Sequence, residues 1–326
     1  MKLKEKLKRV SNDFSKEEKK FYKITGSNLL SKRKFKNNRN FLSVSIIIPA
    51  FNSHNTIIPV IKSIFNQTFL KRGGKMEVII IDDCSKPPLL NKISDFKNEA
   101  IIKYIYSFKN RGAGSSRDDA IRISQNDIIF FVDSDIVLPS YFIDNHLLIH
   151  SVLKKNNIVV SFRENVCLRD KRIINFKKGF KGNMDLGEHR VNMIFKQEWV
   201  MKSSEEKLIG QKFKILKETN YFKDFGFGKK YLNWTLPMMV LTCAMSAHSS
   251  LVKKAIPVPK ELYGWGFNDT CMAAKMIADG AMVIPNLNST VLHILEKKHN
   301  KPNHVKNKEF LKNEQVYKKF LEQKYD

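Results

Sequence analysis

The chain has 326 residues, 42% of them hydrophobic, and a formal net charge of +26. That length is enough to bury a full core, in one large domain or two small ones. No stretch of about 18 uncharged apolar residues occurs, so no membrane-spanning helix is expected, and the basic start MKLKEKLKRV lacks the apolar segment of a secretory signal.

Residues 1–40 read as a basic helical extension and linker, with 14 Lys and Arg against 4 Asp and Glu. Leu3, Leu7, Val10 and Phe14 recur at helical spacing, and Ser15 with Glu18 has the form of a capping box before a second helix. Such an arm either packs on the domain or touches an anionic membrane surface. From Ser43 the pattern turns to strands alternating with helices. Strands are expected at Val44–Ile48, Val78–Ile81, Ile101–Tyr106, Ile128–Val132 and Ile158–Phe162. Helices are expected at Asn55–Gln67, Gly112–Ser124 and Tyr141–Lys155, the last capped by Ser140. This alternation predicts a mostly parallel sheet with helices on both faces, an α/β fold.

Residues 163–240 lose the rhythm. Phe176–Gly182 reads as a loop and Arg190–Leu216 as short helices. Order returns at Leu241, with a helix at Ser250–Ala255. A helix capped by Asn268 or Asp269 and ending at Gly280 follows. Strands at Met282–Ile284 and Val291–His293 close the domain, and the basic tail 297–326 reads as helical. The main domain is therefore 41–296, in two parts, 41–162 with a regular alternation and 163–296 without it. Cys84, Cys167, Cys243 and Cys271 have no close pairs, which points to buried free thiols in a reducing cytosol rather than zinc or disulfides.

Four segments follow predicted strands, so the fold brings them to one sheet edge, where open α/β sheets bind ligands. They are Pro49-Ala50-Phe51-Asn52, Asp82-Asp83-Cys84-Ser85, Asn110 to Asp118 (NRGAGSSRD) and Asp133-Ser134-Asp135. Pro49 and Ala50 leave room for a flat base against the backbone, and Asp83 has the group to accept the imide N–H of a uracil. Gly112 and Gly114 allow close approach to a helix N-terminus that favours anions, and Arg117 can fork onto phosphate. Two carboxylates about 4 Å apart repel by roughly 4 kcal/mol at an effective dielectric near 20. A divalent cation carrying a diphosphate turns that cost into a binding site.

These motifs, in this order over about Ser43–Val160, resemble the nucleotide-binding half of family-two glycosyltransferases of the GT-A fold. The resemblance implies that Ala50, Asn52, Asp83 and Arg117 contact the nucleoside. It implies that Asp133 and Asp135 serve the sugar nucleotide and the metal, with Asp135 the firmer ligand and Ser134 on the same donor-facing turn. Tyr263-Gly264-Trp265-Gly266-Phe267-Asn268-Asp269 is similar to the Gly-Trp-Gly-x-Glu-Asp motif of galactosyl- and N-acetylgalactosaminyltransferases and chondroitin-type polymerases. That likeness implies that Trp265, Gly266 and Asn268 frame acceptor and sugar and that Asp269 is the general base, although Asn268 stands where those enzymes have glutamate. Several related enzymes carry a third metal ligand where His293 lies. An imidazole beside carboxylates favours Mn²⁺ over Mg²⁺. His248 is a weaker candidate near the acceptor loop.

The expected activity is metal-dependent, inverting transfer of a hexose or N-acetylhexosamine from a UDP-sugar to a glycan, peptide or protein. The expected location is cytoplasmic or peripheral at the membrane. A noncatalytic sugar-nucleotide binder and a retaining GT-A transferase stay open as alternatives. Nucleic-acid binding is set aside because no helix-turn-helix, zinc knuckle or aromatic RNP strand is recognisable. Nucleotidyl transfer normally shows a Gly-rich loop after the first strand, where this chain has Pro-Ala-Phe-Asn.

Overall fold

The computed structural model describes residues 1–10, 12–31, 42–96, 101–154, 156–175, 180–182, 236–295 and 302–325. The short helices expected in Arg190–Leu216, the linker after Ser31 and residues 176–179 of the expected loop lie outside the described residues.

Three β-branched or aromatic runs form the heart of the sheet. They are β1 (Val44–Ala50), β2 (Met76–Asp82) and β4 (Ile128–Val132), each buried along its whole length. Apolar residues on both faces are what a sheet covered on both sides requires. The eight strands run in the order β3-β2-β1-β4-β7-β6-β8-β5, with β3 (Ile102–Tyr106), β5 (Ile136–Val137), β6 (Asn157–Val166), β7 (Ala244–His248) and β8 (Met282–Ile294). β1 to β4 are parallel, β7 enters antiparallel between β4 and β6, β6 and β8 are parallel, and β5 is an antiparallel edge.

Side-chain alternation sorts the core into two layers. Ile47, Ile129 and Phe131 point to one; Ile46, Ile48, Ile128, Phe130 and Val132 point to the other. The second layer is covered by helix Ile57–Phe65 and the N-terminal part of helix Phe142–Leu153. The first is covered by helices Ala113–Ile123, Ser249–Ala255 and Asn268–Ala278, together with both ends of the chain. Leu3, Leu7, Phe14, Phe21 and Leu29 of the N-terminal extension share that layer with Tyr317, Phe320 and Leu321 of the C-terminal helix Asn303–Leu321. The arm thus packs on the domain, and its apolar face is spent there. No helix among the described residues is long and apolar enough to cross a membrane.

Four local expectations are corrected. The Ser15/Glu18 capping box does not form: Phe14 stands at the N-cap, and Asp13 accepts the Ser15 N–H at 3.0 Å. Ser140 does not cap the helix that begins at Phe142; its carbonyl takes the Thr68 N–H at 2.7 Å. Phe267, left-handed at φ +65°, precedes helix Asn268–Ala278, so neither Asn268 nor Asp269 is its cap. The two final strands are one, β8, which pairs along β6 through a register shift between Ser161 and Arg163. Cys243 and Cys271 are buried as expected, whereas Cys84 is half-buried and Cys167 exposed.

A histidine cluster lies inside the molecule. His146 bonds Ser246 at 2.7 Å and Ser161 at 2.8 Å, and His150 bonds the same Ser246 at 2.8 Å. Burial pushes His146 down to about 3 and His150 well below its ordinary range. Both are therefore neutral in the fold, and stability held above the unfolded value near 6.5 is lost as pH falls below it. One such histidine costs about 2 kcal/mol at pH 5. Thermal denaturation is expected to show a melting temperature several degrees lower at pH 5 than at pH 7.5. His146→Gln should flatten that fall while lowering the neutral-pH value.

Candidate active site

Every motif that follows a parallel strand reaches the same edge, because β1, β2 and β4 end side by side. Ala50 is in register with Asp82, and the Ala50 carbonyl takes the Asp83 N–H at 2.8 Å. Pro49 is paired with Ile81 within the strand, and its missing N–H is no loss at that point. Asn52 is left-handed (φ +52°). Its N–H donates to the Ser85 hydroxyl at 2.8 Å and its Oδ1 accepts the Lys86 N–H at 3.0 Å, which locks the first two loops together. Ser134 is tied to Ser53 at 2.6 Å. Asp83 is buried and accepts the N–H groups of Arg111 (2.9 Å) and Gly112 (2.7 Å). It thereby fixes the third loop at the start of helix Ala113–Ile123. Its neighbour Asp82 is wholly internal, accepting from Ser85 N, Leu89 N and the Tyr104 hydroxyl.

The centre of the site is Arg117. Its guanidinium donates to Asp133 at 2.7 Å and to Asp269 at 3.3 Å. Burial pulls this guanidinium down, but Asp133 and Asp269 more than offset it and hold its pKa above the ordinary value. Burial pushes the Asp133 carboxyl up, against the pull of Arg117, and the charges of Asp135 and Asp269 add to the rise. Asp269 has a second anchor that sequence reasoning missed. Thr242 donates its hydroxyl at 2.6 Å and its N–H at 3.2 Å to that carboxylate. Thr242 is in place because the β4–β7 ladder continues past the strands, with Asp133 N–H donating to the Cys243 carbonyl at 3.2 Å. The same first turn carries Asn268. Its side-chain oxygen would lie 2.4 Å from a Cβ at position 114, so only Gly114 lets helices Ala113–Ile123 and Asn268–Ala278 approach this closely.

Asp135 and His293 meet because β5 pairs with β8, Ile136 opposite His293. His293 Nε2 stands 3.4 Å from Asp135 Oδ2, and Nδ1 bonds Asn165 Oδ1 at 2.8 Å. Nδ1–H donates to Asn165 Oδ1, which orients the ring and leaves Nε2 as the atom turned toward Asp135. An imidazole nitrogen and a carboxylate facing each other across 3.4 Å are a donor set whose chemistry would suit a divalent cation such as Mn²⁺. Asp133, expected as a third ligand, accepts from Arg117 through Oδ1 at 2.7 Å. Among the described residues no three His, Cys, Asp or Glu side chains are grouped to hold a metal ion by themselves.

Trp265 is half exposed, and its loop lies beside the third motif: the Tyr263 hydroxyl donates to Asn110 at 3.4 Å, and the Tyr263 ring faces Gly112. His248 is not in the site. It pairs with Ile128 at the opposite end of β4 from Asp133.

The parallel sheet with an antiparallel insertion, acidic strand ends and a basic side chain between them define a GT-A glycosyltransferase fold. The family model described as Glycosyl transferase family 2 matches residues 45–251, and the chain belongs to that family. It is similar to the poly(ribitol-phosphate) beta-glucosyltransferase of Bacillus spizizenii, 34% identical over 101 residues, which are 30% of this chain and 16% of that protein. It is also similar to the UDP-Glc:alpha-D-GlcNAc-diphosphoundecaprenol beta-1,3-glucosyltransferase WfgD of Escherichia coli, 30% identical over 115 residues, 35% of this chain and 42% of that protein. The chain therefore spans well under half of either relative. Among solved structures, Staphylococcus aureus TarS with UDP aligns over 78% of this chain and 58% of that one, at 19% identity and a TM-score of 0.43.

Removing the charge of Arg117 leaves Asp133 and Asp269 close together without a counter-ion. Arg117→Met is expected to cost about 3 kcal/mol in denaturant unfolding. Adding Asp269→Asn to it should restore part of that loss, and strictly additive effects would show that the two residues are not coupled.

Proposed function

We propose that this chain is an inverting, UDP-sugar-dependent glycosyltransferase that moves a hexose or N-acetylhexosamine onto a hydroxyl of an anionic glycan. The observation that carries this reading is the meeting of Asp133, Asp135, Arg117 and Asp269 at one sheet edge. UDP as carrier is supported by the name of the WfgD relative and by the acidic groups after β2. An anionic acceptor is supported by the +26 charge and by the poly(ribitol-phosphate) named for the Bacillus relative. The same charge makes peripheral contact with anionic lipid compatible with the reading.

In this reading Asp135 and His293 hold Mn²⁺ or Mg²⁺, and the bound ion supplies Lewis-acid neutralisation of the departing diphosphate. Arg117 exchanges its carboxylate partners for phosphate oxygens as the donor enters, which removes the cation from Asp269 and leaves that carboxylate held by Thr242. Asp269 then takes the proton of the acceptor hydroxyl. The acceptor oxygen bonds to the anomeric carbon, the bond from that carbon to the phosphate oxygen breaks, and the electron pair leaves with UDP. Attack from the side opposite the leaving group inverts the anomeric centre. Trp265, Gly266 and Asn268 border the sugar and the acceptor, and Thr242 keeps the base aimed.

The test is a panel of UDP-glucose, UDP-galactose and UDP-N-acetylglucosamine with MnCl₂ and ribitol-phosphate oligomers, scored for UDP release and glycosylated product. Asp135→Ala should abolish manganese-dependent UDP binding. Asp269→Asn should leave that binding intact and lower transfer by about 100-fold or more. Normal transfer by Asp269→Asn refutes the assignment of the base. UDP binding without turnover of any donor favours the noncatalytic alternative, and a product with the donor's own anomeric configuration favours the retaining one.

A further inference from the structure

The loop that carries Trp265 is shaped by an unusual backbone. Gly264 (φ +84°), Gly266 (φ +97°) and Phe267 (φ +65°) are all left-handed. A conformation of this kind persists only where its surroundings over-determine it. The surroundings here are the C-terminal helix Asn303–Leu321, which lies beyond the residues matched by the family model. The buried Asn313 directs its Nδ2 at three carbonyls, those of Tyr263 (3.2 Å), Trp265 (3.1 Å) and Gly266 (3.2 Å). Glu309, one helical turn earlier, accepts the Trp265 N–H at 2.9 Å. The Phe310 ring lies 5.6 Å from that of Trp265 and 4.8 Å from that of Phe267.

The helix side chains approach the loop closely. A Cβ at position 264 would come within 2.5 Å of the Glu309 carboxyl carbon, and one at 266 within 3.0 Å of the Phe310 ring. Residues 309, 310, 313 and 317 share one helix face, and Tyr317 and Phe320 below them are buried in the core. The loop is therefore gripped from behind by a helix that is itself anchored. Trp265 meanwhile stays 51% exposed. Leaving an indole half in water gives up burial free energy. A rigid, exposed aromatic face is also what stacking on the apolar face of a sugar ring requires.

We propose that Asn313 and Glu309 are positioning residues of the acceptor site: they set Trp265 at the height and angle at which it receives the acceptor. This rests on the reading above that Trp265 borders the acceptor. The helix face thus extends the functional site to residues some forty to fifty positions downstream of the loop.

The experiment uses the full chain with Trp199→Phe and Trp234→Phe, so that Trp265 is the one tryptophan. Acrylamide quenching of Trp265 is read alongside KM for ribitol-phosphate oligomers and for the donor. Glu309→Ala and Asn313→Ala are expected to raise quenching and to raise oligomer KM by about tenfold, while donor KM stays within about twofold. Glu309→Gln, whose amide oxygen still accepts the Trp265 N–H, should behave as wild type. A purely structural role would lower the melting temperature without this split. Unchanged quenching and oligomer KM in folded Glu309→Ala overturn the proposal, and that variant decides alone if Asn313→Ala does not fold. Trp265→Ala separates the two readings. If it leaves oligomer KM unchanged while Glu309→Ala still raises quenching, the placement of the acceptor fails and the grip of the helix on the loop stands.

Discussion

The site depends on one cation set among acids. Arg117 stands between Asp133 and Asp269, two carboxylates delivered by different halves of the chain. Its guanidinium is the right instrument for this, since a rigid fork can serve two acceptors at once where an ammonium is a single point of charge. The balance is nevertheless incomplete. Asp135 adds a further negative charge close by, which is part of why the Asp133 carboxyl is pushed up. Like charges this close raise the free energy of the cluster, and a further positive charge placed there would lower it.

Topology brings these charges together. Parallel strands β1, β2 and β4 deliver the first, second and fourth motifs to one edge, and helix Ala113–Ile123 returns Arg117 to the same place. The antiparallel insertion of β7 next to β4 then sets Thr242 and Cys243 against Asp133. Thr242 in turn fixes Asp269. Asp133 and Asp269 are thus joined through a single strand pairing. Edge strand β5 brings Asp135 and His293 together in the same way, since its residue Ile136 stands opposite His293.

The parts of this arrangement legible in the chain are those written in local pattern. Ile128–Val132 is bounded as expected, and all five strands expected in the first half are present, although Ile102–Tyr106 is only partly buried, because a run of β-branched and aromatic residues has few alternatives. The acidic triplet and the glycine-bearing helix start were readable for the same reason. The misses have a common cause. Ser15, Ser140 and Asn268 look like caps, but a cap is decided by backbone angles that tertiary contacts set, and here Phe14, Tyr141 and Phe267 take that place. The ion pair of Arg117 with Asp269 was not foreseen, because sequence shows neighbours along the chain and not a partner 152 positions away. Thr242, Asn165 and Asn313 carry no signal of their own. Each is a small polar residue whose meaning comes from a partner 27, 128 or about 50 positions away.

The two chain ends, which charge alone marks as appendages, alter how the domain should be understood. Leu3, Leu7, Phe14 and Phe21 share a core layer with Tyr317 and Phe320, and Tyr325 N–H closes on the Met1 carbonyl at 2.8 Å. The C-terminal helix is therefore held from two sides, by the sheet layer and by the N-terminal arm. A helix so anchored can carry a precise task at its other end, where Glu309 and Asn313 meet the Trp265 loop. The excess of lysine on these segments is then compatible with two roles at once. The Lys6 ammonium itself sits over the Tyr325 ring, 4.6 Å from its centroid, so part of this charge ties the two chain ends together, while the remaining lysines add to a field that draws anions toward the molecule.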